Sequence, residues 1–118
     1  MKDNPLFIKS NNLAHLVYRL TKDFPKEEVF GITSQLRRAA LSVPLNIVEG
    51  YARQSDKSFK QFLLISYGSL KETKYLIHFA FEEGLMNKNS YNETIQCAEE
   101  VGRILWTSIN KVKERAKE

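Results

Sequence analysis

The 118-residue chain is predicted to fold as an all-α, antiparallel up-down four-helix bundle, one domain spanning 1–118. Three observations predict it. Apolar residues recur at steps of three and four through four long segments, the signature of amphipathic helices. The breakers are few, three prolines and five glycines, and they fall mostly between those segments. A chain this long with 42% hydrophobic residues can bury one modest core and has no room for a second domain.

Met1 to Ser10 reads as a polar lead-in, with Leu6 and Phe7 packing back onto the helices. Ser10, Asn11 or Asn12 caps a first helix of about 11–22, on which Leu13, Leu16, Val17 and Leu20 recur. It stops before Pro25, because a residue preceding proline is pushed toward extended geometry. Pro25 to Phe30 is a corner with a short turn, and Glu27 and Glu28 suit the start of the helix that follows. That second helix, about 31–52, carries two apolar stripes: Ile32, Leu36, Ala40, Val43 and Ile47, then Leu41, Leu45 and Val48. Pro44 removes a backbone bond within it and predicts a bend near Ala40 to Val43.

Ser55 caps the third helix, about 56–83, whose main stripe is Phe59, Phe62, Leu63, Leu70, Ile77 and Phe81. Leu64, Ile65, Tyr75 and Phe79 widen that stripe beyond one bundle face and predict a subunit interface. Ser66, Gly68 and Ser69 are small enough for another helix to approach closely. Gly84 ends the helix, and Ser90 with Glu93 forms a capping box for the fourth, about 91–116. Tyr91, Ile95, Ala98, Gly102, Leu105, Ile109 and Val112 then alternate steps of four and three, the seam of an antiparallel bundle.

Between the two stripes of the second helix run Arg38, Ser42, Asn46, Glu49 and Arg53. Two readings stand side by side. As a structural polar seam, Arg38, Ser42, Asn46 and Glu49 bond to each other, to carbonyls freed by Pro44 or to a neighbouring helix. As a contact surface, Arg37, Arg38 and Arg53 grip an anionic partner through their guanidinium forks. The chain carries a formal charge of +4, and Arg37, Arg38, Arg53, Lys57 and Lys60 face only Glu49 and Asp56 in their stretch. Those five are the candidate nucleic-acid-binding residues. Lys111, Lys113, Arg115 and Lys117 crowd the C-terminus, where cations complement the helix dipole and keep the surface soluble.

No catalytic constellation is expected. His15 and His78 are isolated, the serines lack a base, and no glycine-rich phosphate loop or His-Glu-X-X-His occurs. Glu82-Glu83 and Glu99-Glu100 are adjacent, so each pair reads as solvated surface. The single Cys97 forbids an internal disulfide or a cysteine-built metal cluster and fits a reducing cytoplasm. No signal peptide and no apolar run near 18 residues is present. A cytoplasmic protein with no cofactor, no metal, no small-molecule substrate and no membrane partner is the expectation.

The stretch Phe24-Pro25-Lys26-Glu27-Glu28, Phe30-Gly31-Ile32-Thr33-Ser34-Gln35-Leu36-Arg37-Arg38-Ala39-Ala40, Ser42-Val43-Pro44, Asn46-Ile47 and Glu49-Gly50-Tyr51 resembles a known family. It is similar to the small four-helix-bundle proteins encoded in intervening sequences of bacterial 23S ribosomal RNA genes, often labelled ribosomal proteins. These are in turn similar to the accessory variability determinant of diversity-generating retroelements. The resemblance covers the whole chain. It implies bundles that assemble into a ring, usually a homopentamer, without enzymatic activity. Two roles follow as expectations: an RNA-binding accessory, or a scaffold for a protein partner such as a reverse transcriptase.

Overall fold

The computed structural model describes Met1 and residues 3–117. It holds four helices, α1 (Pro5–Thr21), α2 (Ile32–Tyr51), α3 (Asp56–Glu82) and α4 (Lys88–Lys117), with one 3-10 turn at Lys26–Glu28 and no strand among the described residues.

Two helix starts differ from those the sequence predicts, for the same local reason. α1 begins at Pro5, six residues earlier than the expected 11, because Asn4 Oδ1 accepts the Phe7 N–H at 3.1 Å and Pro5 takes the first helical position. Ser10, expected as a cap, is buried inside the helix and donates its hydroxyl back to the Phe7 carbonyl at 3.0 Å. The lead-in is therefore helical from Pro5, and Leu6 is a buried core residue. α4 begins at Lys88 because Asn87 Oδ1 accepts the Ser90 N–H at 2.8 Å. Asn87 does the capping, in place of the Ser90–Glu93 box.

α3 is capped by Ser55, which accepts the Ser58 N–H at 3.2 Å. At its other end Gly84 adopts φ +76°, so that Leu85 N reaches the Ala80 carbonyl at 2.9 Å and Gly84 N reaches Phe81 at 3.0 Å. This paired closure needs a left-handed residue, which glycine supplies without a Cβ clash. Pro44 lies inside α2, which runs on through it to Tyr51. Side chains brace its surroundings: Ser66 Oγ donates to the Val43 carbonyl at 2.8 Å, and Asn46 Nδ2 to the Ser42 carbonyl at 2.8 Å.

Each helix packs against two neighbours in a closed order, α1 on α2, α2 on α3, α3 on α4 and α4 on α1, with no close backbone approach across either diagonal among the described residues. The result is a rod with extents of 50 × 24 × 23 Å. Its axis is filled by Leu13, Val17, Leu36, Val43, Ile47, Leu63, Leu70, Ile77, Val101 and Leu105, all essentially inaccessible. The α4 stripe is turned slightly from the predicted one. Thr94 and Val101 are buried, while Tyr91, Ile95 and Gly102 sit at its edge. Hydroxyls do enter the core, and they are satisfied locally: Thr21, Thr73 and Thr94 each donate to the carbonyl four residues back at 2.7 Å. Thr33 Oγ1 is the one buried polar side-chain atom without a partner among the described residues.

Consecutive acids tie α4 to both neighbours. Glu99 meets Lys74 of α3 at 2.7 Å and Glu100 meets Lys9 of α1 at 2.8 Å. The paired ammonium holds each carboxyl below the usual carboxylate range, chiefly through its hydrogen bond.

Candidate nucleic-acid interface

The five candidate basic residues divide into three situations. Arg37 is committed to the fold: its Nε donates to Thr21 Oγ1 at 2.8 Å, its Nη2 to the Tyr18 carbonyl at 3.3 Å, and its guanidinium lies 4.6 Å from the Tyr18 ring centroid. It locks the end of α1 to the start of α2. Arg38 is exposed and has no hydrogen bond or ion pair among the described residues. It stands on α2 fifteen residues before Arg53, roughly 22 Å along the helix axis.

Arg53, Lys57 and Lys60 gather at the opposite end, around the α2–α3 corner. Arg53 pairs with Glu49 at 3.1 Å and stacks 4.6 Å from the Phe62 ring, leaving the rest of its fork exposed. Lys57 is exposed and Lys60 half-buried, and neither makes an ion pair among the described residues. The fold adds cations that the sequence reading assigned to solubility. Arg115 of α4 reaches Asp56 at the first turn of α3, 3.2 Å away. This contact brings the last turns of α4 to the first turn of α3 and pairs the acid that stood among the α3 lysines, while Lys111 lines a groove with Asn4, Pro5 and Tyr51 on the α1 side of the same end. The hairpin register was the available signal: with a short turn at 83–87, residues near 57 and 114 must lie side by side.

The polar seam is shorter than the sequence predicts. Ser42, Asn46 and Ser69 form a real cluster, with Ser42 Oγ 2.8 Å from Ser69 Oγ and Asn46 Nδ2 donating to Ser42 Oγ at 2.9 Å. Arg38 and Glu49 lie outside it on the exposed face of α2, where Glu49 accepts from Arg53 at 3.1 Å, because α1 and α3 cover only the inner sides of α2. Around the cluster the surface is apolar. Leu41, Leu45 and Val48 of α2 and Leu64 and Ile65 of α3 are all 40–55% exposed. Leu41 and Leu45 also line a groove of about 450 Å³ with Arg38, Ser42, Ser69 and Glu72.

His78 has company that the sequence reading did not give it. Glu82 lies four residues on with its carboxylate 3.4 Å from Nε2, and Tyr91 of α4 places its hydroxyl 3.3 Å from Nδ1. His78 and Glu82 are exposed, and Tyr91 is half-buried with its ring stacked on Phe81, centroids 4.4 Å apart. No group of three His, Cys, Asp or Glu side chains among the described residues is arranged to hold a metal ion. No described helix is long and apolar enough to cross a membrane.

Cys97 is partly buried, and that burial pushes its thiol above the ordinary range, with Glu100 nearby adding to the effect. The raised value keeps the thiol protonated at neutral pH. Iodoacetamide at pH 7.5 is therefore expected to alkylate Cys97 several-fold more slowly than free cysteine, the rate climbing only above the usual thiol range. Mass-shift kinetics across pH 7 to 10 measure this; labelling as fast as free cysteine would contradict it.

The comparisons with known proteins cover most of the chain. The family described as 23S rRNA-intervening sequence protein matches residues 2–107. A crystal structure from Bacteroides thetaiotaomicron VPI-5482, described as a protein with unknown function from the S23 ribosomal protein family, is similar at 26% identity with a TM-score of 0.85. The similarity covers 93% of this chain and 99% of that one. No curated protein matches the chain.

Proposed function

The chain belongs to the 23S rRNA-intervening sequence protein family, and from that premise we propose that it is a non-enzymatic, homo-oligomeric accessory of the cytoplasm that binds RNA. One observation carries the reading: Arg53, Lys57 and Lys60 lie at the same end of the rod as Lys111 and Lys113, the end marked by the Arg115–Asp56 pair. Lys57, Lys60, Lys111 and Lys113 have no ion pair among the described residues, and with the open part of the Arg53 fork they can replace the counterions of a phosphate backbone, which gives affinity without base recognition.

The architecture in this reading is an antiparallel up-down bundle that closes into a ring of identical subunits, a pentamer. Partner positions support the antiparallel course, since within each neighbouring pair of segments one number rises as the other falls: Asn4 with Tyr51 then Thr21 with Arg37, Ser42 with Ser69 then Tyr51 with Phe59, and Asp56 with Arg115 then Lys74 with Glu99. The half-exposed leucines of α2 supply the subunit contact. A ring repeats the basic end around its axis, so several weak phosphate sites engage one RNA together.

Fluorescence anisotropy with a stem-loop RNA tests the reading. The triple variant Arg53→Gln, Lys57→Gln, Lys60→Gln should bind at least ten-fold more weakly. Its log-affinity against log-salt slope should flatten by about two, since each lost phosphate contact contributes roughly 0.7 to 0.9. An unchanged slope would rule these side chains out. A second reading, a scaffold for a protein partner such as the reverse transcriptase of a retroelement, draws on the Leu41–Leu45–Val48 ridge. It predicts a ring that carries no nucleic acid in native mass spectrometry of protein purified without nuclease or high salt.

A further inference from the structure

The groove between α3 and α4 lies where α2 does not reach, and it holds the one tryptophan of the chain. Trp106 is 50% exposed, an unusual position for the largest apolar side chain when a core is available to it. Its ring is packed against Tyr67 of α3, with centroids 5.3 Å apart and planes inclined at 41°. Beside the pair opens a cleft of about 230 Å³. Gly102 keeps its floor low. A Cβ there would approach Leu70 Cδ2 to 3.3 Å, and any larger side chain would fill the space.

The rim of this cleft is cationic. Lys71 Nζ stands 5.3 Å from the Tyr67 ring centroid, and Arg103 lines the opposite side. The lining has one carboxylate, Glu99, and Lys74 occupies it at 2.7 Å. Glu100, the other acid near Arg103, is occupied by Lys9 at 2.8 Å. Arg103 is thus left with no hydrogen bond or ion pair of its own side chain among the described residues. The cations also have a spacing. Lys60 and Lys74 lie seven residues to either side of Tyr67, and Lys113 lies seven beyond Trp106. Seven residues are two helical turns, about 10 Å.

We propose that this groove is a stacking site for unpaired bases of single-stranded nucleic acid: Tyr67 and Trp106 form the platform, and Lys71, Arg103, Lys60 and Lys113 track the phosphates above and below it. An aromatic face takes any base, and a flanking run of cations takes the backbone; together they define sequence-tolerant single-strand recognition. A duplex keeps its bases stacked on one another and offers the groove only phosphates. The proposal rests on the nucleic-acid reading above and narrows it, extending the interface from the basic end up the α3–α4 groove.

A fluorescein-labelled twelve-nucleotide oligouridine and a twelve-base-pair RNA duplex test it, read by anisotropy and by the intrinsic emission of Trp106. The single strand should quench Trp106 while the duplex binds without quenching. Trp106→Leu should weaken single-strand binding roughly ten-fold and leave duplex binding unchanged, and Trp106→Phe should recover most of the loss. Lys71→Gln with Arg103→Gln, two exposed or rim positions that keep the tryptophan, should weaken both RNAs and flatten their salt dependence. Single-strand binding without quenching, and undiminished in Trp106→Leu, would overturn the stacking site while the nucleic-acid reading stands. Failure of both RNAs to bind the parent protein would overturn the two together.

Discussion

Under the proposed ring architecture, the double variant Leu41→Asp, Leu45→Asp is expected to be a monomer with its helices intact. Both side chains are on the outer face of α2, 46% and 55% exposed, next to the Ser42–Asn46–Ser69 cluster. In an isolated subunit they contribute little to the core, so two aspartates there should change folding stability by less than about 1 kcal/mol, as surface substitutions usually do. In an assembly the same positions are covered. Burying two unpaired carboxylates against a neighbour costs several kcal/mol for each, more than a subunit contact of ordinary size can absorb. Native mass spectrometry reads the mass, and circular dichroism checks that helix content is retained. A variant that stays at the parent's oligomeric mass would move the subunit contact away from α2; a parent that is itself monomeric would remove the ring.

Leu105→Ala is expected to cost 2 to 5 kcal/mol of stability, roughly the span for a buried leucine truncated in a packed core. Leu105 is fully buried on α4, in one cluster with Leu70 of α3 and Leu6 and Leu13 of α1. The hole left behind is walled by rigid helices on both sides and cannot easily collapse. A domain of this size has about 5 to 15 kcal/mol in total, so the variant should melt on the order of 10 °C lower. Leu64→Ala, at 45% exposure, serves as the control and should shift the urea midpoint little. Equal losses at the two positions would mean that Leu64 is buried in the assembled state, which the monomeric aspartate variant would then separate.

What the sequence made legible follows the range of the interactions involved. Four helices and the breaks at Pro25, Gly84 and Asn87 are legible from periodicity and breakers, whereas the buried faces of α3 and α4 are turned from the predicted stripes, taking in Leu76, Ala80, Thr94 and Val101 and leaving Phe59, Phe62, Phe81 and Tyr91 at the edge. The starts of α1 and α4 were misplaced because several capping residues competed within a few positions. Asn4 before Pro5 is the stronger pair than Ser10 or Asn11, since the proline fixes the first turn and gives up an N–H that would have gone unpaired. The site was legible in composition and not in grouping. Arg37 and Arg38 are neighbours in sequence with opposite fates, one spent on Tyr18 and Thr21, the other free on the outer face. Only the register of α1 against α2 decides which. In the same way the last turns of α4 come beside the first turn of α3 through a pairing 59 positions long, Asp56 to Arg115.

Glu99 and Glu100 reach for helices on opposite sides of α4, and the consequence concerns orientation more than strength. Adjacent residues on a helix point about 100° apart. Each ion pair is partly exposed and contributes little net energy. Yet α4 carries a stripe of similar aliphatic side chains that could settle into the core after a small axial roll, and each roll stretches one of the two tethers. Held from left and right, the helix is biased toward one angular setting among those its stripe would allow. That setting is the one with Trp106 turned outward, beside the cleft that Glu99 also lines.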